Sequence, residues 1–409
     1  MTEADTDFAA HQARFIAMLD TEFKRFGEPE GLPAPLREAI TATPRHRFVH
    51  RFRLDDGPLQ DFDSNPAELL ETVYSDRVLR HVGPAGEPLP SSNSQPSYIL
   101  WLLHLLDVSP GQRVLEIGSG SGWLAAIMAR LVGPDGHVTG VEIIPSLADQ
   151  SRADLAAMSI ERVAISAQDG TCAQFDRTRF DRVMITAATW CPPPAVLRQV
   201  AENGRVLVPL ELRSGDGCCV SVLRRTADRF VSERQVMGWF VPLQSPRQRR
   251  PTIHRPLETL PFWPDIRAVP AARVALPLGG PVAWAFRTFL ACTEPGFAVF
   301  ATEAAKPRGG PGQPIEPFGL IDETAQSVAV WCQGELLAYG QDNAARRFAS
   351  AYATWANAGL PSATGLDLEL VSPEAAPLPT DRLWIEPRGD LALVWRLKPG
   401  THAWRELLG

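Results

Sequence analysis

The 409-residue chain has no apolar run of the about 18 residues that a bilayer-spanning helix requires. It has no basic excess either: the formal charge is −7 and the pI about 5.7, which removes the electrostatic case for nucleic acid or anionic membrane. The six cysteines include no CxxC pair, and only Cys218 and Cys219 are neighbours, so neither a zinc site nor a disulfide framework is expected and the thiols read as small buried side chains. The eight histidines form no HExxH, and metal chemistry is not expected. No internal repeat is present. The first residues, MTEADTDFAAHQ, are acidic and polar where a secretory signal would be basic then apolar, so a cytoplasmic protein is expected.

What is present is an ordinary globular balance, 45% hydrophobic and 21% charged, with material for two or three domains. Prolines and glycines mark loops or linkers at PAGEPLPSS (84–92), QSPRQRRP (244–251) and KPRGGPGQPIEP (306–317).

The informative stretch is RVLEIGSGSGWLAAIMARL, 113–131. Val114, Leu115 and Ile117 read as a buried strand around one acid, Glu116. Leu124, Ile127, Met128 and Leu131 then fall at helical spacing. Gly118, Ser119, Gly120 and Gly122 therefore form a strand-to-helix turn, where a ligand can approach the main chain and the helix N-terminus. A dinucleotide turn would carry a third glycine where this chain has Trp123. Glu116 would also sit where a pyrophosphate has to lie. A cationic, phosphate-free ligand tolerates that carboxylate, and S-adenosyl-L-methionine is such a ligand.

The following segments fit. HVTGVEI (137–143) reads as a second strand ending at Glu142, an acid placed to accept ribose hydroxyls. ERVAISAQDG (161–170) reads as a third, with Asp169 and Gly170 at its tip, within reach of an adenine amino group. FDRVMITAA (180–188) and GRVLVPL (204–210) read as a fourth and fifth, with a helix starting near Pro192 between them. This alternation predicts an α/β fold with a Rossmann-like doubly wound sheet and ligands at the carboxyl ends of the strands.

The stretch SSNSQPSYILWLLHLLDVSPGQRVLEIGSGSGWLAAIMARL (91–131) resembles the protein-L-isoaspartate O-methyltransferases, which join a serine-rich S-Q-P type motif to a V-L-E-I-G-x-G-S-G turn. The likeness includes REAITATPRHRFV (37–49) and continues through QDG (168–170), FDRVMITAA, ENGRVLVPL (202–210) and MGWFVPL (237–243), covering roughly 36–245. It implies a class I methyltransferase fold, S-adenosylmethionine as cofactor, and a protein or peptide substrate carrying an aspartyl or isoaspartyl carboxylate. It also implies that Ser94 positions the acceptor. The residue-level alternative is that Ser94 caps the helix that follows Gln95-Pro96.

The family usually ends near MGWFVPL, whereas this chain runs on for about 160 residues and carries an insertion-like DGPLQDFDSNPAELLETVYSDRVL (56–79). That layout resembles a branch that methylates an ordinary Asp in a ribosomally made peptide, the ester collapsing to an aspartimide. The expected organisation is a helical segment and insertion at 1–90, the methyltransferase core at 91–245, and a C-terminal α+β extension at 246–409 that could dock a peptide. In the extension, 282–292, VAVWCQGELLAYG (328–340) and RLWIEPRGDLALVWRL (382–397) are expected as strands. DNAARRFASAYATWANAG (342–359) is expected as a helix. A small-molecule methyltransferase and a non-catalytic binding module are the readings of a different class. The oligomeric state is not legible.

Overall fold

The computed structural model describes residues 3–175, 179–215, 217–248, 252, 254–300 and 315–398. The loops expected at 249–251 and 306–314 lie outside the described residues. The chain forms two compact units. The first comprises residues 1–208, 222–225 and 240–248, and the second 209–221, 226–239 and 249–409.

The first unit opens with helices α1 (Glu3–Arg25) and α2 (Ala34–Thr41) and a 3-10 turn at Arg45–Phe48. Strands β1 (Arg51–Arg53) and β2 (Leu59–Asp61), helix α3 (Pro66–Val73), and strands β3 (Leu79–Val82) and β4 (Pro88–Asn93) follow. The four strands make an antiparallel sheet in the order β2-β1-β3-β4. β4 lies within the stretch expected as a loop from its prolines. It is a strand because it is the edge of that sheet, where proline costs no ladder bond on its open side.

Helix α4 (Pro96–Leu106) leads into the parallel core: β5 (Arg113–Ile117), α5 (Trp123–Val132), β6 (His137–Glu142), α6 (Pro145–Ala157), β7 (Val163–Ala167), β8 (Phe180–Ile185), α7 (Pro194–Leu197) and β9 (Val200–Glu211). The strand order β7-β6-β5-β8-β9, parallel throughout, is that of a Rossmann-like sheet, with its switch point between β5 and β8. Val114, Leu115, Val138, Val141, Val183 and Met184 are fully buried, as strands covered on both faces require.

The second unit contains β10 (Cys218–Thr226) in part, β11 (Arg229–Gly238), α8 (Trp263–Ile266), β12 (Ala272–Ala275), α9 (Gly280–Thr293) and β13 (Phe297–Val299). β14 (Phe318–Asp322), β15 (Ser327–Cys332), β16 (Glu335–Gly340), α10 (Asn343–Asn357), β17 (Leu366–Val371), β18 (Leu383–Arg388) and β19 (Leu391–Leu397) complete it. β12-β16-β15-β14-β13 form one antiparallel sheet, and β11, β17, β19 and β18 pair in that order. The α+β character and the helix over 343–357 match the sequence expectation, and 328–340 and 382–397 each form a hairpin.

The exception is 282–292, a helix where a strand was expected. Gly280-Pro281 starts it, and Ala285, Phe286, Phe289 and Leu290 bury one face at helical spacing, with Phe286 against Phe348 and Trp355 of α10. All six cysteines are free. Cys218, Cys219 and Cys292 are buried, but Cys172, Cys191 and Cys332 are only partly so. No helix among the described residues is long and apolar enough to cross a membrane. No group of three or more His, Cys, Asp or Glu among them is placed to hold a metal ion.

Candidate active site

The carboxyl end of β5 runs into the glycine turn. Gly118, Gly120 and Gly122 have φ of +90°, +52° and +81°, a left-handed path that favours glycine. The outer two are also demanded by the protein's own neighbours. A Cβ on Gly118 would lie 2.8 Å from Thr186 Oγ1, and one on Gly122, the residue capping α5, would lie 2.2 Å from Ser151 Oγ. At Gly120 the nearest atom is His81 Cε1, 3.2 Å away.

Three carboxylates surround the turn. Glu116 is 1% exposed, and its Oε2 is buried without a partner. Burial, reinforced by the charge of Glu142, pushes its carboxyl up to about 8. Glu142, at the end of β6, is also buried. Its Oε2 accepts from the Gly120 amide at 2.8 Å and its Oε1 from the Ile144 amide at 3.0 Å. Burial raises its pKa, and these main-chain donors oppose that rise. The third, Asp169, follows β7. Its Oδ1 accepts from the Thr171 amide at 2.8 Å and hydroxyl at 2.7 Å, and its Oδ2 from the Ser245 hydroxyl at 2.7 Å. Burial pushes this carboxyl up, but the Ser245 and Thr171 bonds and the Arg247 charge together bring it below its ordinary value. Gly170 beside it has no room for a side chain, since a Cβ would meet Ile117 Cγ2 at 2.5 Å. The Ser119 amide bonds Val141 O at 3.1 Å, and its hydroxyl is buried without a partner. The structure thus gathers all the cofactor-site residues expected from sequence around the ends of β5, β6 and β7.

Ser94 lies between β4 and α4. It is half-buried, and it is not the helix cap: α4 starts at Pro96, with Gln95 at the cap position. Capping is done by Asp76, which sequence reasoning missed. Its Oδ1 accepts from the Ser97 backbone amide at 2.8 Å, and its Oδ2 from the Ser97 hydroxyl at 2.7 Å and the Gln95 side-chain Nε2 at 2.8 Å. The loop that carries Asp76 is itself held by Arg45, 1% exposed, which donates to the carbonyls of Val73, Ser75 and Arg77. The serine motif meets the glycine turn through Ser121, whose hydroxyl donates to Asn93 Oδ1 at 2.6 Å.

A glycine turn beside two buried acids, Glu116 and Glu142, at the switch point of a 3-2-1-4-5 parallel sheet, defines a class I methyltransferase that uses S-adenosylmethionine. The fit rests on Glu116: its buried Oε2 has no partner, and a cation beside it would favour its ionised form, which an ammonium or a sulfonium of this cofactor supplies. The comparisons with known proteins make the assignment specific. Residues 35–248, just over half of the chain, match the model of the protein-L-isoaspartate(D-aspartate) O-methyltransferase family, and the chain belongs to that family. The protein-L-isoaspartate O-methyltransferase of Ignicoccus hospitalis is 33% identical over 206 residues, 50% of this chain and 87% of that one. That of Methanothrix thermoacetophila is 32% identical over 211 residues, 50% and 86% of the two chains. A solved protein-L-isoaspartate O-methyltransferase structure aligns with a TM-score of 0.51 at 20% identity, covering 89% of this chain and 97% of that chain. At that identity the likeness is one of fold, and its span is far wider than residues 35–248.

Proposed function

We propose that this enzyme esterifies the free α-carboxylate of an L-isoaspartyl residue in a protein or peptide, and that the ester then collapses to a succinimide. The observation that carries the reading is the pairing of an uncapped, half-buried Ser94 with a glycine turn lined by Glu116, Glu142 and Asp169.

Bound S-adenosylmethionine supplies an electrophilic methyl group on a positively charged sulfur. The chain's own residues have three tasks. Glu116, with the main chain of Gly118, Ser119 and Gly120, would hold the amino-acid end of the cofactor. Glu142, pre-aimed by two amides, would take the ribose, and Asp169 with Gly170 the adenine. Ser94 would donate its hydroxyl hydrogen to the acceptor carboxylate and fix its line of approach. The site needs no general base, since a carboxylate is already ionised at neutral pH, and rate comes from alignment and exclusion of water. In the product, the neighbouring backbone nitrogen attacks the ester carbonyl, forms the ring and expels methanol. We further propose 246–409 as a substrate-docking extension and 91–245 as the catalytic core, with 1–90 completing it.

The test is transfer of labelled methyl to an L-isoaspartyl peptide and to its L-aspartyl twin, with mass spectrometry for a gain of a methyl followed by loss of methanol. Turnover of the isoaspartyl peptide alone is expected. Ser94→Ala should lower kcat at least tenfold with an unchanged S-adenosylhomocysteine Kd. Equal turnover of the two peptides, or of neither, overturns the reading, and an unaltered Ser94→Ala rate removes that residue from it.

A further inference from the structure

Beside the glycine turn, on the side of the β3–β4 hairpin, the first unit holds a pocket of about 240 Å³. Its polar walls are His50, Arg51, His81, Asn93, Ser121, Ser146 and Gln150. Two of these side chains have hydrogen-bond donors to spare. Asn93 has its oxygen engaged by the Ser121 hydroxyl at 2.6 Å, which fixes the amide's orientation and leaves its NH2 group for a ligand. His81 is 6% exposed, and its Nδ1 pairs with the Ser91 hydroxyl at 2.9 Å. Its Nε2 is buried with no partner among the described residues. Burial pushes its pKa down to about 4, an effect the Asn93 side chain partly offsets, so the ring is neutral at physiological pH. We assign the Ser91 hydroxyl as the donor to Nδ1, which puts the ring proton on Nε2. Of the cationic groups on the wall, His50 is already held between Asp63 and Asp154 at 3.0 Å each, and Arg51 donates to the Pro84 carbonyl at 3.1 Å.

Neutral N–H donors converging in a pocket call for a ligand oxygen with lone pairs, and an unmet donor in such a place is costly. The acids of the neighbouring cofactor site lie on the opposite side of this logic, since they select cations. We infer that this pocket binds a ligand carboxylate, with Asn93 Nδ2 and His81 Nε2 as its donors. Asn93 directly precedes Ser94, which places the pocket next to the acceptor motif, so the acceptor's carboxylate is the first source. The amino-acid carboxylate of the methyl donor is the second. The acceptor assignment rests on the proposed function; the pocket itself does not.

Asn93→Asp is the sharpest probe, because it keeps size, removes both donors and adds a like charge. His81→Phe and His81→Gln separate loss of the ring donor from its replacement. Calorimetry would measure S-adenosylhomocysteine and 5′-methylthioadenosine, which lacks the amino acid. It would also measure an isoaspartyl peptide and its isoasparagine amide in the presence of S-adenosylhomocysteine. If the acceptor is the source, Asn93→Asp raises the isoaspartyl peptide's Kd and KM at least tenfold, leaves the amide peptide within twofold, and leaves S-adenosylhomocysteine unchanged. If the donor is the source, S-adenosylhomocysteine weakens tenfold and 5′-methylthioadenosine does not. In both cases His81→Phe follows Asn93→Asp and His81→Gln recovers part of the loss. Folded variants that shift neither carboxylate ligand by more than twofold overturn the inference. If the wild type binds no isoaspartyl peptide, the proposed function falls, and the S-adenosylhomocysteine comparison alone decides the pocket.

Discussion

Glu116→Gln keeps the shape of the buried acid and removes its charge. In the ligand-free protein, the wild-type carboxyl sits at about 8, because burial and Glu142 both disfavour its ionised form. A cationic ligand favours that ionised form. Below pH 8, binding must therefore expel a proton, and affinity must rise with pH. One pKa unit is worth about 1.4 kcal/mol, so affinity is expected to rise about tenfold per unit from pH 6 toward pH 8 and then flatten. Titration calorimetry of S-adenosylhomocysteine in buffers of different ionisation heat reads the proton directly: close to one released at pH 6.5 by the wild type, none by Glu116→Gln. At pH 8 the variant should bind more weakly by about 1.5–3 kcal/mol, the scale of a hydrogen bond to a charged group. 5′-Methylthioadenosine, which has no ammonium, should bind with the same affinity across the range. Stability gives an independent reading. The folded pKa is raised, so the acid's contribution is fully present below about 4.5 and is lost as pH rises through about 8. Glu116→Gln should therefore gain stability over wild type at pH 8 and not at pH 4.5. A wild-type affinity that does not vary between pH 6 and 8, or equal proton release in wild type and variant, would refute the reasoning.

Asp76→Ala removes three bonds from the start of α4; the expected result is a stability loss of about 1–2 kcal/mol, with kcat per folded molecule falling and S-adenosylhomocysteine affinity unchanged. A lowered Tm with an intact kcat would mean that Asp76 only caps the helix and does not place Ser94. His50 is raised to about 9, first by its bond to Asp154, so its pairing stabilises fully below about 6.5 and fades as pH rises through about 9. Asp154→Asn should then cost about 1 kcal/mol at pH 6 and much less at pH 10 in urea unfolding, and a constant difference would contradict the pairing.

Much of the core was legible because parallel strands buried on both faces are dominated by apolar side chains, as with Val114, Leu115 and Ile117, and with Val183–Ile185. The acids expected at the site could be placed on strands because Glu116 lies inside one, Glu142 ends one and Asp169 follows one. The misses have physical causes. Residues 282–292 are apolar nearly all round, which blurs the period that separates a helix from a strand. The prolines of 84–92 signal a loop locally, and only the sheet order shows that they occupy an edge. Asp76 reaches 21 positions to Ser97, and Ser245 reaches 76 positions back to Asp169. No local pattern encodes contacts at that range. Nor could the sequence show that Gly118 and Gly122 serve Thr186 and Ser151 as much as any ligand.

The reach of Ser245 back to Asp169 sets a timetable for the growing chain. Residues 209–221 and 226–239, which belong to the second unit, leave the ribosome before Ser245 does. The bond that holds Asp169 is therefore finished late, after the second unit has already begun. β11 waits longer still, because its ladder partner β17 comes near the end of the described chain, where Phe230 meets Leu370. Until then β11 carries an open row of amides and carbonyls on that side, the kind of edge that recruits stray strands. A shortened chain ending at Gln248 would make that interval permanent. Residues 366–371 are thus the ones that cover β11 against neighbouring chains.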